Sequence, residues 1–78
     1  MLSLKQTLTD IAKAIVDSPD EVTVTESEEG DSVLLVLSVA ADDMGEVIGK
    51  HGRIAKAIRM IMKSAANSVG KKVTVEIR

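Results

Sequence analysis

Residues 47–59 read Val-Ile-Gly-Lys-His-Gly-Arg-Ile-Ala-Lys-Ala-Ile-Arg, and this stretch decides how the chain is interpreted. At its centre Gly49 and Gly52 bracket Lys50 and His51. Because glycine has no Cβ, such a bracket lets the chain turn sharply between two helices and lets a ligand approach bare backbone. A helix beginning at Arg53 would direct its free N–H groups and positive dipole end at that ligand, which suits a phosphate.

We call residues 49–52 the glycine joint. The segments before it predict one helix and two strands. Apolar residues recur at helical spacing through residues 4–15, with Ser3 and Gln6 as a capping box and Pro19 beyond the end. Apolar and polar side chains alternate in residues 22–25, as they do in a half-buried strand. Residues 28–31 are charged enough to predict a turn.

Residues 33–39 are almost continuously apolar, which predicts a central strand. If Val33 and Leu35 face the helices, Leu34 and Val36 lie on the opposite face, where a three-stranded sheet has nothing of its own to cover them. Scattered exposed apolar residues are also common, so this face is either a partner surface or ordinary surface.

The segments around and after the joint predict two helices and a last strand. Asp42 or Asp43 is the predicted N-cap of a short helix that ends at the glycines. The helix after them should close at Gly70, and residues 72–77 alternate as a strand. Its predicted buried stripe consists of Ile54, Ala57, Ile58, Ile61, Met62 and Ala65.

The predicted order is therefore α-β-β-α-(GxxG)-α-β, an α+β fold in which three helices pack on one face of a three-stranded sheet. Residues 1–78 should form one small domain, near the size at which a single core supplies only a few kcal/mol of stability. A deep enzyme cleft is not expected at this size.

The pattern Val-Ile-Gly-Lys-x-Gly, extended by Arg-Ile-Ala-Lys-Ala-Ile-Arg, resembles the signature of the KH domain, an RNA-binding module whose GxxG loop holds about four single-stranded nucleotides. The element order is similar to the type II, prokaryotic form of that fold. In length and motif the chain looks like the small bacterial single-KH proteins of the KhpA family. The resemblance implies a cytoplasmic RNA chaperone or regulator that self-associates or pairs with a larger KH-containing protein.

The resemblance also implies which residues bind RNA. Gly49, Lys50, His51 and Gly52 would form the clamp on the sugar-phosphate backbone. Apolar residues nearby would contribute either to the base-binding groove or to the core beneath it, and cations of the second helix would contact phosphates. These flanking residues are Ile48, Ile54 and Ile58, and Arg53 and Lys56. Gly45 resembles a family glycine that permits close helix approach, although it is also explained as a residue that merely weakens its helix.

Charge is segregated along the chain, which indicates a basic face in the C-terminal half. Residues 1–45 carry two Lys against ten Asp and Glu, a net charge of -8, whereas residues 46–78 carry eight Lys and Arg against two Glu, a net charge of +6. At 100° per residue, Lys56, Arg59 and Lys63 lie within about 60° of one another on the second helix. These three side chains would form a basic face opposite the buried stripe. Alternatively, the acidic and the basic half of the chain are both ordinary solvated surface.

Several classes of protein are disfavoured by composition. There is no cysteine, and no apolar stretch approaches the ~18 residues of a membrane span, so a cytoplasmic location without a membrane partner is expected. His51 is the only histidine, which leaves no pair for catalysis or metal binding, and we predict neither an enzyme nor a cofactor. Asp42, Asp43 and Glu46 are more readily explained as acids near a helix N-terminus than as a metal site.

A second hypothesis is that the fold serves as a protein interaction module, with residual RNA binding. Leu34, Val36 and Met60, which lies on the non-core side of the second helix, favour it. The chain has no aromatic residue, so stacking worth ~1 to 3 kcal/mol per base is not possible and RNA affinity from one copy should be weak.

Overall fold

The elements follow the predicted order. The computed structural model of the chain describes residues 3–78, and for Lys50 and His51 it describes the backbone alone. The elements are α1 (Leu4–Ile15), a 3₁₀ turn (Pro19–Glu21), β1 (Thr23–Glu29), β2 (Ser32–Ser38), α2 (Ala41–Ser68) and β3 (Lys72–Ile77).

Helix α1 begins at the predicted cap. The Ser3 hydroxyl accepts a hydrogen bond from the Gln6 main-chain N–H at 3.2 Å. The Gln6 side chain donates to Asp10 at 2.8 Å, four residues along the helix, so only the serine half of the predicted capping box forms.

No helix within residues 3–78 is both long enough and apolar enough to cross a membrane.

The sheet has the strand order β1-β2-β3, with β1 and β2 antiparallel and β2 and β3 parallel. The prediction of a strand at 22–25 and a polar turn at 28–31 was wrong in extent. Strand β1 continues to Glu29, because Glu28 and Glu29 pair with Val33 and Ser32 and leave only a two-residue turn. As β1 is an edge strand, its charged side chains remain in solvent, and charge on an edge opposes unwanted pairing.

Helix α2 supplies the crossover that a parallel pair needs, and it contains the glycine joint. Helical structure is assigned without interruption over Ala41–Ser68, although Gly52 has a φ of 67°. A straight helix of that length would span about 42 Å, whereas the longest principal dimension of the molecule is 35 Å. The predicted loop is thus a single left-handed residue that joins a first arm, residues 41–51, to a second arm, residues 53–68.

The core lies between α1, both arms of α2 and one face of the sheet. Val33, Leu35 and Leu37 point into it from the central strand, as predicted, and Leu34 and Val36 lie half-buried on the other face. The apolar residues that form the core cluster are Leu4, Leu8, Ala12, Val22, Val24, Val33, Leu35, Leu37, Val39, Val47, Ile58, Met62, Ala66 and Val75.

The predicted buried stripe of the second arm was wrong at two positions. Ala57 is exposed, and Ile61 is 48% exposed. The buried side is narrower, with Ala55, Ile58 and Met62 spaced three and four residues apart, because a helix resting on a sheet covers only one side of its surface. Met60 beside them is 73% exposed, so an apolar patch of Ala57, Met60 and Ile61 faces solvent.

Candidate nucleic-acid interface

The glycine joint depends on Gly52 rather than on both glycines of the motif. Gly52 has a φ of 67°, a left-handed conformation that costs a residue with a Cβ about 1 to 2 kcal/mol. Gly49 has no positive φ and lies within the first arm. Only Gly52 is therefore required by the backbone, and Gly49 needs a different explanation.

The glycine at position 49 is explained by a cleft beside the glycine joint. The cleft has a volume of about 290 Å³ and is lined by Gly45, Glu46, Gly49, Arg53 and Ile54. Gly45 and Gly49 are one helical turn apart, so they present bare backbone on the same side of the first arm. A Cβ built on either glycine has no protein atom within 4 Å.

The cleft corrects the interpretation of Gly45 as a residue that permits close helix approach. Nothing lies within 4 Å of a Cβ at this position, so no helix is packed against it. Gly45 instead forms part of the cleft wall, where a methyl group would project into the cleft.

The apolar residues of the predicted site separate into groove and core. Ile48 is 45% exposed, and Ile54 is half-buried between the cleft and the core. Ile58 is 2% exposed and belongs to the core alone. The sequence had left this division open, because all three lie at helical spacings compatible with either role.

One polar residue of the predicted site, Arg53, lines the same cleft. Arg53 is exposed and lines it, and Lys56 is exposed one turn further along the second arm. Lys50 and His51 lie outside the residues whose side chains the structure describes. Of the predicted site residues, the structure therefore brings Gly49, Arg53 and Ile54 together at the cleft.

An acidic cluster borders the first arm. Carboxylate oxygens of Asp17, Asp43 and Glu46 lie within 4.8 Å of one another. Asp43 is 2% exposed, and its two oxygens accept main-chain N–H bonds from Asp17 and Ser18, each 3.1 Å long. Its carboxylate is thus satisfied by the backbone after α1, and neither Asp42 nor Asp43 caps α2, whose N-cap is Ala40.

The second arm of α2 is positively charged on the side that borders the edge of β3. Arg59 donates a hydrogen bond from Nε to the Val75 carbonyl at 3.3 Å, which fixes the arm to the strand. Lys63 lies one turn beyond Arg59 on the same side of the helix. Positive charge therefore extends from the cleft along the arm, whereas negative charge gathers at the start of α2.

Comparison with known proteins yields consistent matches over nearly the whole chain. The sequence pattern of the family described as KhpA/KhpB, KH domain, matches residues 5–77. A protein of Clostridium acetobutylicum named RNA-binding protein KhpA is 57% identical over 74 residues, which are 95% of this chain and 99% of that protein. Proteins of the same name from Caldanaerobacter subterraneus subsp. tengcongensis and Halalkalibacterium halodurans are 55% and 46% identical, over 86% and 95% of this chain and 89% and 97% of their own lengths.

Proposed function

The chain belongs to the KhpA/KhpB family of KH domains, and on that premise we propose that it binds single-stranded RNA at the glycine joint. The relatives are named as RNA-binding proteins and not as enzymes, in agreement with the prediction of a non-enzyme. The observation that carries the proposal is the cleft in which two glycines leave the backbone bare beside Arg53.

Each part of a nucleotide has a counterpart at the cleft. A phosphate is attracted by Arg53 and Lys56 and, by the family motif, by Lys50 and His51. A base meets the aliphatic surfaces of Ile48 and Ile54. The wall at Gly45 and Gly49 admits the sugar-phosphate chain closely, since neither residue has a side chain, and the chain would lie on the Arg53 side of the cleft, away from the Glu46 carboxylate that also lines it.

The lack of aromatic residues determines which interactions can contribute to RNA affinity. Without aromatic stacking, affinity depends on phosphate contacts and aliphatic packing, neither of which distinguishes bases strongly. We propose low sequence selectivity and a role as an RNA chaperone or post-transcriptional regulator in the bacterial cytoplasm.

A second copy, or a larger KH-containing protein, is the proposed partner. Two linked clamps raise the avidity for one RNA strand through effective concentration, without any new contact. The exposed patch of Ala57, Met60 and Ile61 offers an apolar surface on the second arm, and a closed twofold dimer is the commonest way to cover such a patch.

The same patch favours a second candidate function, that of a protein interaction module in which RNA binding is residual. Large exposed apolar side chains on one helix are typical of interaction surfaces. In that case the clamp residues would be dispensable for the protein's association with its partner.

The experiment that tests RNA binding measures the fluorescence anisotropy of a labelled single strand, and of a duplex of the same sequence. We expect the single strand to bind better, because the clamp needs splayed bases. The double variant Lys50→Asp with His51→Asp should lose binding, and Lys5→Asp with Lys13→Asp, on α1, is a control with two added acids away from the cleft. Equal binding of single strand and duplex, or unchanged binding by the clamp variant, would refute the proposal.

A further inference from the structure

The outer edge of β1 is the free edge of the sheet on the side away from β3. The strand order is β1-β2-β3, so β1 has a neighbouring strand on one side only. A strand at a sheet edge presents unpaired main-chain N–H and C=O groups, which can pair with a further strand. Strand β1 contains no proline, and its register with β2 runs over all of Thr23–Glu29 without a bulge. Nothing in the strand itself therefore interrupts such pairing.

The turn between β1 and β2 determines which residues of β1 face outward. A two-residue hairpin turn with a positive φ at its first position, as Gly30 has, is closed by a hydrogen bond between the flanking residues, here Glu29 and Ser32. Hydrogen-bonded and non-hydrogen-bonded pairs alternate along an antiparallel ladder. Glu26 and Glu28 therefore direct their N–H and C=O groups away from β2, and both residues are exposed. Outside the sheet ladder, no main-chain hydrogen bond of residues 3–78 reaches either of them.

A cavity of about 340 Å³ lies beside these two residues. The side chains of Glu26 and Glu28 line it together with Leu4, Val33 and Val69. Val69, at the C-cap of α2, is 41% exposed, so the cavity offers accessible apolar surface. Side chains of directly opposite residues in neighbouring strands lie on the same face of a sheet. A strand added beside the two glutamates would therefore direct alternate side chains toward the side on which the cavity lies.

The charge of this edge is negative. Strand β1 contains three glutamates and no cationic residue. Lys71 forms an ion pair with Glu28, whereas Glu26 forms none with the side chains that the structure describes. A lysine or arginine of an added strand could lay its aliphatic stem against the apolar lining of the cavity and bring its charge to the Glu26 carboxylate.

Charge also decides between the possible occupants of this edge. If two copies paired antiparallel through β1, the register with full overlap would place the two Glu26 side chains directly opposite each other, and like charges in that position destabilise a sheet. The phosphates of RNA would be repelled by the same carboxylates. A strand that carries positive charge is complementary to the edge.

We propose that the edge of β1 binds an extended basic segment of another protein as an additional antiparallel strand. Main-chain hydrogen bonds to Glu26 and Glu28 supply the affinity, and lysine or arginine at alternate positions supplies the specificity. The cleft at the glycine joint takes no part in this contact. The edge of β1 is thus an interaction surface separate from the RNA site.

The first test uses a synthetic heptapeptide, Thr-Lys-Thr-Lys-Thr-Lys-Thr, amidated at its C-terminus and labelled with fluorescein at its N-terminus. Its affinity is measured by fluorescence anisotropy at about 0.15 M salt, where charges more than about 8 Å apart are largely screened. Two matched peptides carry one N-methyl group, either on the central lysine or on a neighbouring threonine. In the paired arrangement the lysine amides face β1 and the threonine amides face away.

We expect the peptide methylated on the central lysine to bind about fivefold more weakly than the unmethylated peptide, since it loses a main-chain hydrogen bond. Methylation of the threonine should change the affinity by less than about twofold, because its N–H points away from β1. Equal affinities of the two methylated peptides would mean that charge alone holds the peptide, and this result would overturn the proposal. So would the absence of binding by the unmethylated peptide at millimolar protein.

The second test reverses a charge on the protein. Glu26→Lys should bind the basic peptide about fivefold more weakly, since like charges then lie opposite each other. It should instead bind the acidic peptide Thr-Glu-Thr-Glu-Thr-Glu-Thr, a gain that an unfolded variant could not show. Glu29→Lys is the matched control, because Glu29 is an exposed residue of the same strand whose side chain lies on the other face of the sheet.

The control variant should bind the basic peptide within about twofold of the unmodified protein, because its side chain is directed away from the cavity. Equal weakening by Glu26→Lys and Glu29→Lys would mean that the peptide senses only the general field, which would contradict a defined strand site. Light scattering tests the remaining occupant. If Glu26→Lys changed the mass of the unmodified protein from dimer to monomer, the edge would be covered by a second copy and the proposal would be wrong.

Discussion

The Asp43 carboxylate accepts a hydrogen bond from the main-chain N–H of Ser18 at 3.1 Å, and this contact ties the first turn of α2 to the segment that follows α1. A second bond, from the Asp17 N–H to the other oxygen, has the same length. Ser18 and Asp17 lie 25 and 26 positions before Asp43 in the sequence, so the two bonds close a long stretch of chain that contains both strands of the hairpin. The first arm of the candidate site is anchored in this way.

Replacing Asp43 should therefore destabilise the whole domain. Asp43→Ala removes both acceptors, and we expect the free energy of unfolding to fall by about 1.5 to 3 kcal/mol, the usual range for hydrogen bonds to a charged group. Urea denaturation followed by circular dichroism measures this. Asp42→Ala, an exposed acid in the same turn, is the control and should cost less than about 1 kcal/mol. Equal effects of the two variants would mean that the tether contributes nothing beyond helix electrostatics.

Gly52 should be intolerant of substitution for conformational reasons. Gly52→Ala places a Cβ on a residue with a φ of 67°, and we expect a loss of about 1 to 2 kcal/mol of stability. No neighbour lies within 4 Å of that Cβ, so steric contact does not contribute. Gly49→Ala, in the right-handed part of the motif, is the matched control. If Gly49→Ala destabilises as much as Gly52→Ala, the joint does not depend on the left-handed residue.

Gly45 should show opposite effects on stability and on binding. Because it lies inside a helix with open space around its Cβ position, Gly45→Ala should stabilise the protein by about 0.5 to 1 kcal/mol. The added methyl group enters the cleft, so affinity for single-stranded RNA should fall. Thr9→Ala in α1 is a control that also improves helix propensity but does not line the cleft. A Gly45→Ala variant that binds RNA normally would remove Gly45 from the site.

Self-association should use the second arm rather than the open face of the sheet. Met60 and Ile61 are 73% and 48% exposed, whereas Leu34 is half-buried. Ile61→Glu or Met60→Glu should lower the mass measured by light scattering from dimer to monomer with the circular dichroism spectrum unchanged. Leu34→Glu is the control for the sheet face. A monomer mass for the unmodified protein at tens of micromolar would exclude self-association, and the second clamp would then have to come from another protein.

Local patterns in the sequence were enough to predict the elements. The two-residue period of a strand correctly placed Leu35 and Leu34 on opposite faces of β2, and Leu35 is the one that faces the core. The pair Gly49 and Gly52 correctly located the joint between the two helical arms, although only Gly52 has the left-handed conformation. The family resemblance based on residues 47–59 was confirmed by the match over residues 5–77.

What the sequence did not predict depends on contacts between distant segments. The bond between Asp43 and Ser18 joins residues 25 apart, and no local rule indicates it. The length of β1 follows from its pairing with β2, which overrides the polar composition of Glu28 and Glu29. The exposure of Ile61 depends on how much of the helix surface the sheet covers. The spacing of apolar residues along the helix does not give that width.

The most direct test of RNA binding at the glycine joint is a titration of ¹⁵N-labelled protein with a four-nucleotide oligouridine, followed by two-dimensional ¹H–¹⁵N NMR. We expect the amide signals of residues lining the cleft, Gly45, Gly49, Arg53 and Ile54, to shift together with that of Gly52. Signals from Leu34 and Val36 on the open face of the sheet should not move. Shifts concentrated on that face, or no shifts at millimolar RNA, would contradict the account.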